Sequence, residues 1–124
     1  MDEAVLWQLI GQAKKEKKID VDILVDDLAK RSVDDIYKFE EILTDKLYDL
    51  DGKEYAKTLG YHPDTYFSVD SFLYARVYVV ECGKDFYYKV LTNLAIMPNT
   101  ASESLLGISQ LAYQKKTGKE NWDY

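Results

Sequence analysis

The stretch that decides the fold is Ser68-Val69-Asp70-Ser71-Phe72-Leu73-Tyr74-Ala75-Arg76-Val77-Tyr78-Val79-Val80-Glu81-Cys82-Gly83. By residue type it reads as a strand, because valine, tyrosine and phenylalanine suit a pleated, half-buried surface. By spacing it reads as a helix. At ~100° per residue, Val69, Leu73, Val77 and Val80 fall within one arc about 80° wide. Ser68 stands where a helix takes its N-cap, and Gly83 where the chain leaves in a left-handed conformation. The spacing holds over the whole stretch, so a helix from Ser68 to about Cys82 is expected.

Reading outward, the same period continues on both sides. Lys84 to Leu94 reads as a helix with Phe86, Val90, Leu91 and Leu94 inward, followed by a loop at Met97-Pro98-Asn99. Ser102 is expected to cap a last helix with Leu105, Ile108, Leu111 and Ala112 inward, ended by Gly118. Residues 119–124, with Trp122, form an expected frayed tail. On the other side, Glu54 to Leu59 reads as a short helix, stopped by Gly60 and a Tyr61-His62-Pro63 turn.

Ser32-Val33-Asp34-Asp35 resembles a capping box with aspartate for the usual glutamate. Behind it Ile36, Phe39, Leu43, Leu47 and Leu50 share one arc of about 80°, the cleanest amphipathic pattern in the chain. Asp20 is a good N-cap for a short helix that turns Val21, Leu24, Val25 and Leu28 inward. The first helix starts at Asp2 and Glu3, buries Leu6, Leu9, Ile10 and Ala13, and ends in the basic run Lys14 to Lys18, as the helix macrodipole favours. No hairpin signal is convincing. The reading is an all-α, compact single-domain bundle of five to seven helices over residues 1–124.

With 47% hydrophobic and 31% charged residues in 124, the chain can fill a core and solvate a surface. Its net charge is −6, concentrated between Ile19 and Asp51, where eleven acidic residues face four basic ones. Such a field repels phosphate backbones, so no nucleic acid is expected as partner, whereas a basic protein would be attracted. No stretch reaches the ~20 apolar residues that cross a bilayer, and the polar start is not a signal peptide. No membrane partner and a cytoplasmic location are the expectations.

Cys82 is the only cysteine and His62 the only histidine. They exclude an intrachain disulfide and a zinc site of several such ligands, so no metal is expected. His62 reads as an exposed turn residue. Cys82 meets the negative end of its helix dipole, which opposes thiolate formation. Neither a nucleophile elbow, a phosphate loop, a dinucleotide fingerprint nor a zinc-protease motif occurs, so no catalytic residue and no cofactor are assigned.

The most informative residue is Arg76, which falls inside the apolar arc between Val80 and Phe72. Arginine keeps its charge, so when buried it needs a partner. Asp34, Asp35, Glu40 and Asp85 are candidates. One reading is a buried ion pair that fixes how helices dock. The other is a binding site in which Asp70, Tyr74 and Arg76 surround one pocket. Eleven tyrosines, among them Tyr61, Tyr66, Tyr74, Tyr78, Tyr87 and Tyr88, also suit a half-buried protein interface.

The pattern Ser68-x-Asp70-x-Phe72-x-Tyr74-x-Arg76, an apolar run, then Gly83-x-x-Phe86 resembles the centre of an uncharacterised bacterial domain family sometimes found beside WGR domains. Trp7-Gln8-Leu9-Ile10 is similar to that family's start, and Ala112-Tyr113 to Thr117-Gly118 to its end. Many members carry a segment rich in tryptophan and glycine where this chain has Tyr55 to Tyr66; a site lined by that segment would be altered here. The resemblance implies a helical fold and a bacterial source, and brings no activity with it. The functional expectation is a small acidic protein-interaction domain, in its most concrete version an immunity-type inhibitor of a basic toxin. The alternative is a small-molecule-binding domain or enzyme using Asp70, Tyr74 and Arg76.

Overall fold

The computed structural model of the chain describes residues 1–62 and 67–120. Among these, the regular structure is seven α-helices, one 3-10 turn and one very small β-ribbon. The chain falls into two compact units, one formed by residues 1–44 with 104–124 and the other by residues 45–103.

In the first unit, α1 (Glu3–Gln12) starts at Asp2, whose carboxylate accepts from the Val5 amide. It buries Leu6, Leu9 and Ile10 as the spacing requires. The helix does not continue through the lysines. It stops at Gln12, and β1 (Lys14–Lys15) pairs antiparallel with β2 (Lys18–Ile19), Lys14 opposite Ile19 and Lys15 opposite Lys18. This corrects the reading of a basic helix end without a hairpin. A continued helix would stack Lys14, Lys17 and Lys18 three and four residues apart, where like charges repel. Turning back instead buries Ala13 and Ile19.

α2 (Val21–Ala29) is capped by Asp20, which accepts from Ile23 N at 3.2 Å, and it buries Leu24, Val25 and Leu28. α3 (Val33–Asp49) begins as half a capping box: Ser32 Oγ accepts from Asp35 N at 3.1 Å. The Asp35 carboxylate turns instead to Arg31 Nε, at 3.1 Å. Ile36 and Phe39 are fully enclosed.

The last helix, α7 (Ile108–Thr117), starts six residues later than its expected cap. Ser102 spends its amide on the Tyr74 carbonyl at 3.0 Å, within the second unit. Gly107, at φ 83°, is the residue that can make the left-handed turn into α7. The buried face is Ile108, Ala112 and Tyr113, and Leu111, about 60° round the helix from Ile108 on the side away from Ala112 and Tyr113, is exposed rather than inward. α7 docks on α2: Lys115 pairs with Asp26, and Lys116 Nζ reaches the Ala29 carbonyl at 3.4 Å. Gly118 ends it as expected. Lys119 and Glu120 lie beyond the helix; Trp122 and the rest of the expected tail fall outside the described residues.

The second unit holds the end of α3, then α4 (Lys53–Thr58), α5 (Val69–Glu81), α6 (Lys84–Thr92) and the 3-10 turn Leu94–Ile96. The deciding stretch is a helix. Ser68 Oγ accepts from Ser71 N at 3.1 Å, and Gly83 takes φ 104° after it. From Ala75 to Glu81 every residue but Tyr78 is buried, which is how valines that disfavour helix are held in one: burial outweighs intrinsic propensity. Val69, expected inward, is 72% exposed because it stands in the first turn, ahead of the buried length. In α6 the enclosed aromatic is Tyr87, while Phe86 is half-buried.

No described helix is long and apolar enough to cross a membrane.

Candidate functional site

A helix ends with carbonyl oxygens that have no partner inside it. In the second unit these are met by polar side chains from other helices. Arg76, on α5, donates from Nη1 to the Leu47 carbonyl in the last turn of α3, at 2.9 Å. Tyr87, on α6, donates its hydroxyl to the neighbouring Lys46 carbonyl at 2.8 Å. Tyr55, on α4, does the same for the Leu91 carbonyl at the end of α6, at 3.1 Å. One device is used three times.

Arg76 is the centre of the group. Only 8% of it is exposed, and its guanidinium lies over the Phe72 ring, 4.7 Å from the centroid. Its Nη2 is 3.8 Å from Asp51 Oδ1, the first acidic residue past α3. The partner is therefore none of Asp34, Asp35, Glu40 or Asp85. Burial pulls the guanidinium below the ordinary arginine pKa, and Asp51 pushes it partly back. It remains a cation, set at the negative end of the α3 dipole. Its Nε is buried with no hydrogen-bond partner among the described residues.

Beside it, Lys46 Nζ is 3.3 Å from the Tyr88 hydroxyl and lies over the Tyr87 and Tyr88 rings, 5.8 and 5.7 Å from their centroids. Burial, and secondarily the charge on Asp49, hold the Tyr55 phenol above its usual pKa. The tyrosines expected at an interface divide accordingly. Tyr87 is enclosed, Tyr61, Tyr74, Tyr78 and Tyr88 are half-buried, and Tyr66 lies outside the described residues.

Asp70 and Tyr74 are not brought to Arg76. At ~100° per residue they stand about 120° and 160° round α5 from it. Asp70 is exposed in the first turn, where a carboxylate favours the helix dipole. Tyr74 is half-buried beside Ala101, Ser102 and Glu103. Two clefts of about 230 and 210 Å³ flank Phe72, and the residues that line them do not include Arg76. Among the described residues, no three His, Cys, Asp or Glu side chains are placed to hold a metal ion.

Sequence reasoning found Arg76, assigned Tyr87 to a half-buried interface rather than to the core, and missed Asp51. Tyr87 was within reach, because on a helical wheel it falls between Leu94 and Leu91, inside the inward arc of α6. Asp51 carried a weaker signal: an acid just after a helix opposes the dipole unless a cation is near.

The surface of the first unit is different in kind. Several acidic groups are committed: Asp20 to a cap, Asp26 to Lys115, Asp35 to Arg31 and Glu41 to Lys38. Asp22 and Asp34 are exposed and Asp27 and Glu40 half-buried, and these four bond to nothing among the described residues.

Fold and site together define a class: a helical domain in which a buried cation and two tyrosines serve helix ends, and in which unpaired charge among the described residues is on the surface. The chain belongs to the family described as "Protein of unknown function (DUF4240)", whose model matches residues 1–117. That agrees with the resemblance seen in the sequence, which was to a family without an assigned activity. No curated protein and no solved structure gives a significant match.

Proposed function

We propose that the chain is a small acidic protein-interaction domain of a bacterial cytoplasm, without a catalytic role, that engages a basic partner through the carboxylates of α2 and α3. The observation that carries this is the set Asp22, Asp27, Asp34 and Glu40, on the surface and unbonded among the described residues. Uncompensated like charge costs stability, and it is recovered when an oppositely charged surface docks. An immunity-type inhibitor of a basic toxin is the concrete form. A regulatory module of a larger bacterial system, as neighbouring WGR domains would imply, shares the same contact, and the genes beside this one distinguish the two.

The test is affinity capture from the source cells at low salt, with wild type beside a variant carrying Asp22→Lys, Asp34→Lys and Glu40→Lys. A basic protein held by wild type, released by salt and lost by the variant is the expected result. Equal recovery by both would sink the reading. A small-molecule site built on Asp70, Tyr74 and Arg76 gains no support from their separation round α5.

A further inference from the structure

The ribbon Lys14 to Ile19 gathers four lysines around one glutamate, Glu16, in the first unit. Lys15, Lys17 and Lys18 are exposed and Lys14 is half-buried. None of the four side chains bonds to anything among the described residues, although the chain has 22 acidic groups for 16 basic ones. Elsewhere in the same unit Arg31, Lys38, Lys115 and Lys116 are engaged, while the isolated side chains of Lys30 and Lys119 have no bond among the described residues.

The ribbon is also held at a local cost. Its two-residue loop puts Glu16 at φ 52° and Lys17 at φ 70°, left-handed positions that a tight hairpin requires and that asparagine and glycine fill best. Lys15 and Lys18 are directly opposed across the strands, where like charges repel. Unpaired like charge on one exposed element points to a partner of opposite charge.

We infer that the lysine ribbon docks on the acidic α2–α3 surface of a second copy of this chain, in a head-to-tail contact. The complement is on the molecule itself, in Asp22, Asp27, Asp34 and Glu40. At contact, charges within a Debye length of ~8 Å decide the energy, so a local match outweighs the net −6 of each copy. A nucleic acid or an anionic membrane is negative throughout and meets the whole field of the chain. The ribbon also lacks the interleaved aromatic residues on which bases stack. The contact uses two different patches, so one ribbon and one acidic surface stay open at the ends of any chain of copies.

Sedimentation equilibrium of the purified full chain tests this. At low salt the average mass rises with concentration, and near 1 M salt, where the Debye length is ~3 Å, it returns to the monomer value. Lys15→Glu with Lys18→Glu weakens association about tenfold or more, and the milder Lys15→Gln with Lys18→Gln weakens it less. Asp34→Lys with Glu40→Lys does the same from the other side. An equimolar mixture of the two charge-reversed proteins associates again, because each retains the patch the other has lost and the two reversed patches are themselves of opposite charge. Circular dichroism shows that every variant keeps its helix content.

A wild-type chain that stays monomeric at low salt overturns the inference, as does association indifferent to the lysine variants. So does ribbon-dependent binding of a fluorescent single-stranded DNA, or of phosphatidylglycerol vesicles, without self-association. The lysine variants leave capture of a basic partner intact, so failure here is distinguishable from failure of the function proposed above.

Discussion

Arg76 has two anchors of unequal worth, and distance and exposure rank them. The Leu47 carbonyl is 2.9 Å away and the contact is buried, whereas the Asp51 oxygen is 3.8 Å away on a side chain that is 49% exposed. A charge-assisted bond to a buried carbonyl contributes roughly 1.5–3 kcal/mol. A solvent-exposed ion pair contributes about 0–1 kcal/mol. Arg76→Ala is therefore expected to cost about 3 kcal/mol in urea unfolding, since it also removes packing on Phe72. Asp51→Asn is expected to cost less than ~1 kcal/mol. Equal losses would show that the ion pair dominates. Tyr87→Phe isolates the second cap: it leaves the ring in place, strands the Lys46 carbonyl and should cost about 1–2 kcal/mol.

The element scale shows what spacing can and cannot reveal. Helices α1, α2 and α3 and the deciding helix α5 were legible because period and caps agree in each. Two things were not legible. The ribbon carries no turn residues of the usual kind, since Glu16-Lys17 stands where asparagine-glycine is the signal, so the lysines read as a helix end. The start of α7 lies past the Ser102 cap that the spacing offered, because the chain turns into the helix only at Gly107, in the left-handed conformation that glycine takes without strain. Of the candidate site, the existence of a buried cation was legible from one residue in an apolar arc. Its partner was not, because a main-chain carbonyl has no signature in side-chain chemistry. The strain assigned to the ribbon is measurable. Glu16→Asn with Lys17→Gly supplies residues that tolerate both left-handed positions and should stabilise the fold by roughly 1 kcal/mol. If the double variant is neutral or destabilised, the loop holds no such strain.

At the scale of the whole molecule, pH acts through groups whose protons the fold holds more tightly than the unfolded chain does. Tyr55 and Tyr78 are both raised above the ordinary tyrosine value of 10.0. For Tyr55 the cause is burial, then Asp49; for Tyr78 it is the hydrogen bond with Cys82, then the charges of Cys82, burial and Glu81. A raised phenol is neutral in the folded chain over a range where the unfolded chain has already lost that proton. The native state then binds more protons, so stability falls as pH rises. The contribution is whole below about pH 10 and disappears as pH climbs through the folded values. Wild-type urea midpoints should be flat from neutrality to about pH 9 with respect to these two groups and drop steeply above pH 10. Tyr55→Phe should begin lower at pH 7, having lost the bond to the Leu91 carbonyl at 3.1 Å, and then decline less across the alkaline range. The two curves should converge as pH rises, because the variant lacks a phenol whose ionisation favours unfolding. Curves that run parallel to pH 11 would mean that the Tyr55 phenol ionises as freely in the fold as outside it, and that its cap on α6 is open to water.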